Sequence, residues 1–391
     1  MIKKRNLFKY INDDLKEKMV FLDGPRQVGK TTLAQQIGEE QYKKYSYLNW
    51  DNLQDKKRII NSQFEPDAKL IVFDEIHKYA KWKNYVKGEW DKNKKKYDIL
   101  VTGSARLDLY RHGGDSLMGR YHYYRLHPFS LAEVLEIDNK IQVKNDLVFV
   151  DAKNLRKTFD DLFVYGGFPE PFLKENKRTL RRFHNERQSR LIKEDIRDVE
   201  LVRDLSALEI LATILPEKVG SLLSLNSLRE DLQVTHKTVA HWMDILERFY
   251  YHYRIYPHAA STIKSLRREP KMFLWDWSQV KNEGSRLENI VASHLLKFSH
   301  ILHDSEGFDV ELKFLRDIEG REVDFLITVN KKPWFAVEVK TSNKKATKHL
   351  KYFKEKMNIP FVYQVVASTG IDFVQNDIRV ISVEKFLTAL F

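Results

Sequence analysis

DGPRQVGKTT, residues 23–32, is the stretch that decides the fold of this chain. It follows an apolar run at residues 19–22 and precedes a helical pattern that begins at Thr32. The pattern G-x-x-x-x-G-K-[ST] is typical of a loop whose backbone N–H groups surround phosphate oxygens, with Lys30 reaching the phosphates and the Thr31 hydroxyl binding Mg²⁺. A chance glycine turn is the alternative, which the flanking strand and helix disfavour. The predicted phosphate-binding residues are Gly24, Pro25, Arg26, Gln27, Val28, Gly29, Lys30, Thr31 and Thr32.

Two adjacent carboxylates follow a later apolar strand candidate at residues 69–73. Asp74 is placed to contribute to the nucleotide site by holding Mg²⁺ through its water shell. Glu75 is placed to polarise the water that attacks the γ-phosphate. A helix N-cap followed by a solvated glutamate is the alternative. Carboxylates at the end of a buried strand need a cation or hydrogen bonds to compensate them, and a phosphate loop precedes these two. We therefore favour the catalytic interpretation.

Two further residues are candidates for the hydrolysis step. Ser104 or Thr102 lies at the end of the strand candidate at residues 98–104, where a hydroxyl would contact the γ-phosphate or the attacking water, and Ser104 is favoured because Thr102 lies inside the strand, before Gly103. Arg120 is a candidate arginine finger, a cation supplied to the active site of a neighbouring subunit, which would imply a homo-oligomer. A surface salt bridge explains such an arginine about as well. The sequence has no N-K-x-D segment to recognise guanine, so the expected nucleotide is ATP.

Alternating strands and helices predict an α/β fold for the first third of the chain. Strand candidates at residues 45–50, 69–74, 98–104 and 121–126 favour a parallel sheet that binds ligands at its carboxyl edge. The chain then becomes helical. An amphipathic helix at residues 235–246, with Thr235 as its N-cap, precedes two aromatic strand candidates, which predicts a winged helix-turn-helix.

A second carboxylate site is predicted towards the end of the sequence. Strand candidates at residues 322–329 and 334–340 flank a turn, so Asp324 and Glu338 would be cross-strand neighbours, with Lys340 on the face of Glu338. These carboxylates would bind Mg²⁺ with Glu288 as a further ligand, and Lys340 would orient or activate a water. A hairpin with a charged solvent face is the alternative. The helix-strand-strand-helix-strand order favours the metal site.

Composition limits the class of protein and the partners. The chain has 391 residues, 42% of them apolar, which is enough for two or three domains. It has no cysteine, which excludes disulfides and thiolate metal sites, and no apolar run of about 18 residues that would span a membrane. The net charge of +12 favours a nucleic acid partner, DNA above all. We therefore expect a cytoplasmic protein.

Together these motifs resemble the prokaryotic AAA+ ATPases that carry a C-terminal domain of unknown function. The resemblance implies ATP and Mg²⁺ as cofactors and an AAA+ P-loop sheet in which the strand at residues 98–104 lies between the strands that precede Gly24 and Asp74. It also implies a helical lid, a winged helix and a C-terminal core like that of PD-(D/E)xK restriction endonucleases. The expected domains are residues 1–135, 136–203, 204–283 and 284–391. The motifs that carry the resemblance are residues 24–32, 73–75, 102–104, 119–130, 166–170, 287–289, 323–325 and 338–340.

The expected function is ATP hydrolysis coupled to nucleic acid, with a C-terminal nuclease-like domain that would be either an active Mg²⁺-dependent phosphodiesterase or inactive. The alternative is a nucleotide-gated signalling or toxin–antitoxin-like adaptor whose nuclease-like fold binds protein. The sensor arginine of the lid stays unassigned among Arg178, Arg181, Arg182, Arg187 and Arg190.

Overall fold

The computed structural model of this chain describes residues 4–103, 117, 119–139, 141–197, 204–259, 269–342 and 347–391. The chain forms two compact units, Met1–His127 and Pro128–Phe391. The first unit thus ends before the boundary that the sequence predicts at residue 135. None of the helices in the described ranges combines the length and the apolar character that crossing a membrane requires.

The first unit is built on a parallel sheet. Its strands are β1 (Met19–Asp23), β2 (Tyr45–Asn49), β3 (Leu70–Asp74), β4 (Asp98–Thr102) and β5 (Tyr121–Arg125). Its helices are α1 (Leu7–Asp14), α2 (Lys30–Gln41), α3 (Leu53–Ile60) and α4 (Trp82–Asn93). The strand order is β2-β3-β4-β1-β5, and adjacent strands are parallel. The expected position of β4 between β1 and β3 is confirmed.

Apolar side chains on both faces explain why this sheet lies in the interior. Every residue of β1 and of β3 is buried, as is usual for a parallel strand covered by helices on both sides. Met19, Phe21 and Phe73 share one core cluster with apolar residues of the helices. Since the strands run in one direction, their carboxyl ends meet at the same edge, and Asp74 and Thr102 are paired there.

The second unit begins with helices. They are α5 (Leu131–Val134), α6 (Leu155–Tyr165), α7 (Pro169–Lys174), α8 (Lys177–Arg190), α9 (Leu205–Ile214), α10 (Leu225–Leu232) and α11 (His236–Arg248). A left-handed residue, Gln233 with φ 54°, ends α10, and Thr235 caps α11 by accepting the N–H of Thr238 at 3.2 Å. The expected cap and the apolar face of α11, including Val239 and Trp242, are confirmed.

The rest of the second unit forms a mixed sheet flanked by helices. Its strands are β6 (His252–Pro257), β7 (Lys271–Leu274), β8 (Val310–Arg316), β9 (Glu322–Val329), β10 (Lys332–Lys340), β11 (Phe361–Val366), β12 (Asp372–Gln375) and β13 (Ile378–Ser382). Its helices are α12 (Glu283–Glu306), α13 (Lys348–Met357) and α14 (Val383–Leu387). The strand order is β12-β13-β11-β10-β9-β8-β6-β7.

This sheet crosses the boundary that the sequence predicts at residue 284. Strand β6, from the expected winged-helix segment, pairs in parallel with β8, and Tyr256 lies opposite Lys313. The sequence predicts neither β8 nor β12 and β13. The order observed after α12 is therefore longer than the expected strand-strand-helix-strand, with a strand added before it and two after it.

The β9–β10 hairpin sets the register of the predicted carboxylate pair. Asn330 and Lys331 both have positive φ, 50° and 63°, as in a two-residue hairpin turn. The register then shifts between Pro333 and Phe335, after which Val337 lies opposite Phe325. Continuing that register by one residue brings Asp324 beside Glu338.

Candidate nucleotide site and carboxylate cluster

The loop after β1 has a backbone that requires its two glycines. Gly24 has φ 144°, and a Cβ there would lie 2.4 Å from the carbonyl oxygen of Leu126. Gly29 has φ 100° and directly precedes α2. Arg5 supports the loop from outside, since its buried guanidinium donates to the Val28 carbonyl oxygen at 2.9 Å. The sequence alone gave no signal for Arg5.

Lys30 places a buried positive charge inside this loop. Its Nζ donates to the carbonyl oxygens of Gly24 and Pro25, at 2.8 Å each. Burial lowers the pKa of Lys30, while the nearby carboxylates of Glu75, Asp23 and Asp74 act in the opposite direction. A cation bound only to neutral carbonyls can readily exchange them for anionic oxygens, because hydrogen bonds between ionised groups are stronger.

Asp74 is hydrogen-bonded to hydroxyl groups on three different elements. It accepts hydrogen bonds from Thr31 Oγ1 at 2.9 Å, from the Tyr47 hydroxyl and from Thr102 Oγ1. The sequence predicts Thr31 beside Asp74 but misses Tyr47 and Thr102. Their only signal is that both lie on the strands that flank β3, where Tyr47 pairs with Val72 and Thr102 with Asp74.

Glu75 lies next to Lys30 in a strained conformation. Its φ of 55° is in the left-handed region, and its N–H donates to the Thr102 carbonyl oxygen at 3.1 Å. Its carboxylate is 3.5 Å from His77 Nε2 and 3.8 Å from Lys78 Nζ. Burial raises the pKa of Glu75, and Lys30 opposes this shift. A raised pKa makes a carboxylate a stronger base.

The other predicted residues of this unit lie elsewhere or are not described. Thr32 is exposed on α2, and Arg26 and Gln27 are half-buried in the loop. Ser104 lies outside the described residues. Arg120 precedes β5 at the edge of the sheet opposite to the loop, and its Nε is 2.9 Å from Asp91 Oδ1. The salt bridge weighed as the alternative for Arg120 is thus present.

The predicted carboxylates of the second unit meet as the hairpin register requires. Asp324 N donates to Glu338 Oε2 at 3.4 Å, and Val339 N donates to Asp324 Oδ2 at 2.8 Å. Lys340 Nζ lies 2.6 Å from Glu338 Oε1. Burial, with the Asp324 charge beside it, raises the pKa of Glu338 to about 7.

Lys271, on β7, joins this group and is absent from the predicted site. Its Nζ lies 3.1 Å from Glu288 Oε1, 2.6 Å from Glu322 Oε1 and 3.4 Å from Asp324 Oδ1. Burial, with the Asp324 charge second, raises the pKa of Glu288 to about 8. We call Lys271, Glu288, Glu322, Asp324 and Glu338 the carboxylate cluster.

The two sites differ in how well they suit Mg²⁺. Thr31 and Asp74 offer a hydroxyl and a carboxylate beside a phosphate-binding loop, a donor set that suits Mg²⁺ with a nucleotide. The carboxylate cluster does not suit it, because the ammonium group of Lys271 lies between its oxygens. Among the residues that the structure describes, no group of three or more His, Asp or Glu side chains is arranged to hold a metal ion.

Three family models match successive parts of the chain. Residues 16–135 match the model described as "AAA domain". Residues 156–281 match a "Domain of unknown function (DUF8612)", and residues 283–386 a "Domain of unknown function (DUF4143)". The expected AAA domain, followed by domains of unknown function, is thus confirmed.

Several known proteins are similar to this chain. An uncharacterized protein of Methanocaldococcus jannaschii is 24% identical over 82% of this chain and 75% of its own length. An uncharacterized protein of Haemophilus influenzae is 23% identical over 78% of each chain. Among solved structures, the RuvB Holliday junction branch migration motor of Thermotoga maritima is 18% identical. The match covers 63% of this chain and 87% of the RuvB chain, with a TM-score of 0.32. The ORC1 protein of Aeropyrum pernix, solved in complex with DNA, is 14% identical. The match covers 75% of this chain and 95% of the ORC1 chain, with a TM-score of 0.34.

Proposed function

We propose that this chain binds ATP with Mg²⁺, hydrolyses the ATP, and couples its nucleotide state to nucleic acid. The observation that carries the proposal is the meeting of Lys30, Thr31, Asp74 and Glu75 at the carboxyl edge of the first sheet. A buried lysine, a hydroxyl on a carboxylate and a half-buried second carboxylate are the groups that phosphoryl transfer to water requires.

Each of these residues has a distinct role in the proposed reaction. The loop from Gly24 to Thr32 presents N–H groups to the phosphates, and Lys30 exchanges its two carbonyl partners for phosphate oxygens. Thr31 and Asp74 would hold Mg²⁺, which would supply positive charge to neutralise the charge that develops on the β- and γ-phosphates. Glu75, with its raised pKa, polarises the attacking water. Ser104 remains the proposed contact to the γ-phosphate.

Two substitutions test the ATPase function. Lys30→Ala should weaken ATP binding by roughly 100-fold, because it removes a charged hydrogen-bond donor. Glu75→Gln should bind ATP normally but lower kcat by roughly 100-fold or more, because the amide cannot act as a base. Fluorescent-ATP titration and phosphate release measure the two effects. The exposed Lys9→Ala is the matched control, and normal turnover in both Lys30→Ala and Glu75→Gln would contradict the proposal.

Coupling to nucleic acid is supported by the segment from α9 to β7. Three helices precede the β6–β7 pair, and an isolated bridge joins Leu222 to Lys271, an order that matches a winged helix. His236, Lys237 and His241 are exposed at the start of α11 and along it. Exposed donors and cations near a helix N-terminus suit phosphate contacts, and the chain as a whole is basic.

DNA binding as a function of salt tests this coupling. Wild-type affinity for a DNA duplex should fall steeply between about 50 and 200 mM salt. Lys237→Glu should bind more weakly and lower the slope of log K against log salt by about one, because one phosphate contact is lost. Lys351→Glu, on the exposed face of α13, is the matched control. Equal affinities for Lys237→Glu and wild type would contradict DNA contact by α11.

A nucleotide-gated adaptor is the second candidate function, and Lys271 favours it. A cation of the protein itself within the carboxylate cluster suits a nuclease-like fold that binds protein without cleaving nucleic acid. The adaptor predicts ATP hydrolysis without measurable DNA or RNA binding at low salt. Binding that weakens with added salt would rule it out.

A further inference from the structure

The position of Lys271 in the carboxylate cluster is fixed by its backbone. Lys271 opens β7, where it pairs with Ile255 of β6 and forms an isolated bridge with Leu222. Its side chain passes the ring of Phe314, with Nζ 5.8 Å from the ring centroid, and is only 4% exposed. An ammonium group enclosed in this way has to find its counter-ions inside the protein.

Those counter-ions are carboxylates on two other elements. Lys271 Nζ contacts Glu288 of α12 and both Glu322 and Asp324 of β9, at 2.6–3.4 Å. On its other side Glu322 also contacts Arg316 Nη1, at 2.7 Å. Lys271 therefore lies among the oxygens that would have to surround a metal ion.

The remaining oxygens of Asp324 and Glu338 have donors of their own. Asp324 Oδ2 accepts from Val339 N at 2.8 Å. Glu338 Oε2 accepts from Asp324 N at 3.4 Å, and Glu338 Oε1 lies 2.6 Å from Lys340 Nζ. Glu288 Oε2 packs against Gly220, where a Cβ would lie 2.7 Å away. Mg²⁺ needs near-octahedral oxygen ligands at about 2.1 Å, whereas three of the oxygens that could supply them surround Lys271 Nζ at 2.6–3.4 Å.

We propose that Lys271 is a resident cation that takes the place of a divalent metal in the carboxylate cluster, so that the wild-type protein binds no Mg²⁺ or Mn²⁺ there. A tethered ammonium group competes at a very high effective concentration, and a divalent ion beside it would be repelled. The cluster then holds β7, α12 and β9 together instead of activating water. This inference is independent of the ATPase function, since it concerns residues of the second unit alone.

Mn²⁺ binding to the full-length, nucleotide-free protein tests the proposal, with bound ions counted by electron paramagnetic resonance. Wild type and Asp324→Asn should bind the same number of ions, because the cluster contributes none in either. Lys271→Met, which keeps the length of the side chain but removes its charge, should gain one ion per chain. Adding Asp324→Asn to Lys271→Met should remove that ion. Asp304→Asn, at a half-buried position of α12 sixteen residues after Glu288, should leave the gained ion in place.

Two results would overturn the proposal. One is an Mn²⁺ ion in the wild type that Asp324→Asn removes, or Mg²⁺-dependent plasmid cleavage by the wild type that Asp324→Asn abolishes. The other is a folded Lys271→Met that gains no ion. If Lys271→Met does not fold, the comparison of wild type with Asp324→Asn decides the question alone. A folded Lys271→Met whose unfolding temperature rises with Mn²⁺, while that of the wild type does not, would support the proposal.

Discussion

His294, on α12, is held in one protonation state by two backbone groups. The Leu131 N–H can only donate, so its 3.0 Å contact makes Nε2 an acceptor. Nδ1, 2.7 Å from the Ile290 carbonyl oxygen, must therefore carry the proton. Burial is the main reason why the pKa of His294 is lowered to about 3. The hydrogen bond to the Ile290 carbonyl opposes this shift, the charge of Lys297 lowers the pKa further, and the charge of Glu133 raises it. Protonation of Nε2 would therefore place two hydrogen-bond donors, the Nε2–H and the Leu131 N–H, against each other.

This arrangement predicts a loss of stability in mild acid. A histidine in the unfolded chain has a pKa near 6.5, so its contribution is complete above that pH and is lost progressively as the pH falls towards 3. Between pH 7.5 and 5.5, wild type should lose about 1.4 kcal/mol more unfolding free energy than His294→Gln, which does not titrate. Urea unfolding at both pH values measures the difference. His303→Gln, at an exposed site on α12, should keep the wild-type dependence, and equal losses in wild type and His294→Gln would contradict the prediction.

Asp74 shows how much of a site can depend on residues without a sequence motif. Its partner Thr31 belongs to the G-x-x-x-x-G-K-[ST] pattern and is predictable. Tyr47 and Thr102 are not, because they reach Asp74 only through the pairing of β2 and β4 with β3. The sequence favours Ser104 over Thr102 as the contact to the γ-phosphate, which stays a prediction because Ser104 lies outside the described residues, and it gives no sign that Thr102 contacts Asp74. A strand's last residues can be predicted more readily than the direction of their side chains.

Among the elements, the β9–β10 hairpin shows how one shifted residue organises a site. The two-residue turn pairs Lys332 with Val329, a register that would place Val337 opposite Asp324. The shift near Trp334 moves each later residue of β10 along by one, so Val337 faces Phe325 instead. Side chains alternate between the two faces of a strand, so without this shift Glu338 would not lie beside Asp324.

The elements that the sequence predicts are those with a strong periodic signal. Strands β1 and β3 are apolar runs that end in an aspartate, and α11 repeats apolar residues at helical spacing. Strand β8 alternates apolar residues with Glu311 and Lys313 and follows the long helix α12 directly, so it shows no such run. Strand β12 is short and largely exposed, with Phe373 and Val374 on its surface. Its pairing with β13, not its composition, makes it a strand.

At the scale of the whole molecule, the sites differ in how far apart their residues lie along the chain. Asp324 and Glu338 lie on strands joined by one turn, so a hairpin centred near residue 331 predicts their contact, and the shift near Trp334 supplies that register. Lys271 reaches these carboxylates only because β6, the partner of β7, also pairs with β8, a contact that no local sequence pattern predicts. A lone lysine in a strand candidate carries no signal for a buried counter-ion. The sequence therefore predicts Glu288, Asp324 and Glu338 but neither Glu322 nor the cation between them.

Arg120 is the residue that can show whether several copies of the chain assemble for ATP hydrolysis. The Arg120 carbonyl accepts the Met19 N–H at the start of β1, whereas the phosphate loop follows the other end, a distance of roughly 17 Å along five residues. Arg120 therefore lies at the edge of the sheet opposite to its own nucleotide site, so as an arginine finger it would serve the site of another copy. Its present partner, Asp91, is half-exposed, and such surface pairs are worth only about 0–1 kcal/mol.

If Arg120 is an arginine finger, Arg120→Ala should lower ATP turnover by roughly 10³-fold without weakening ATP binding, because the cation acts only in the transition state. Asp91→Ala is the matched control, since it breaks the same salt bridge but leaves the arginine in place, and it should keep normal turnover. Mixing Arg120→Ala with Lys30→Ala should restore part of the activity, because each mixed interface can join an intact loop to an intact arginine. Phosphate release by the separate and mixed variants measures this. Equal losses in Arg120→Ala and Asp91→Ala, with no recovery on mixing, would show that the pair is structural and that hydrolysis needs no second copy.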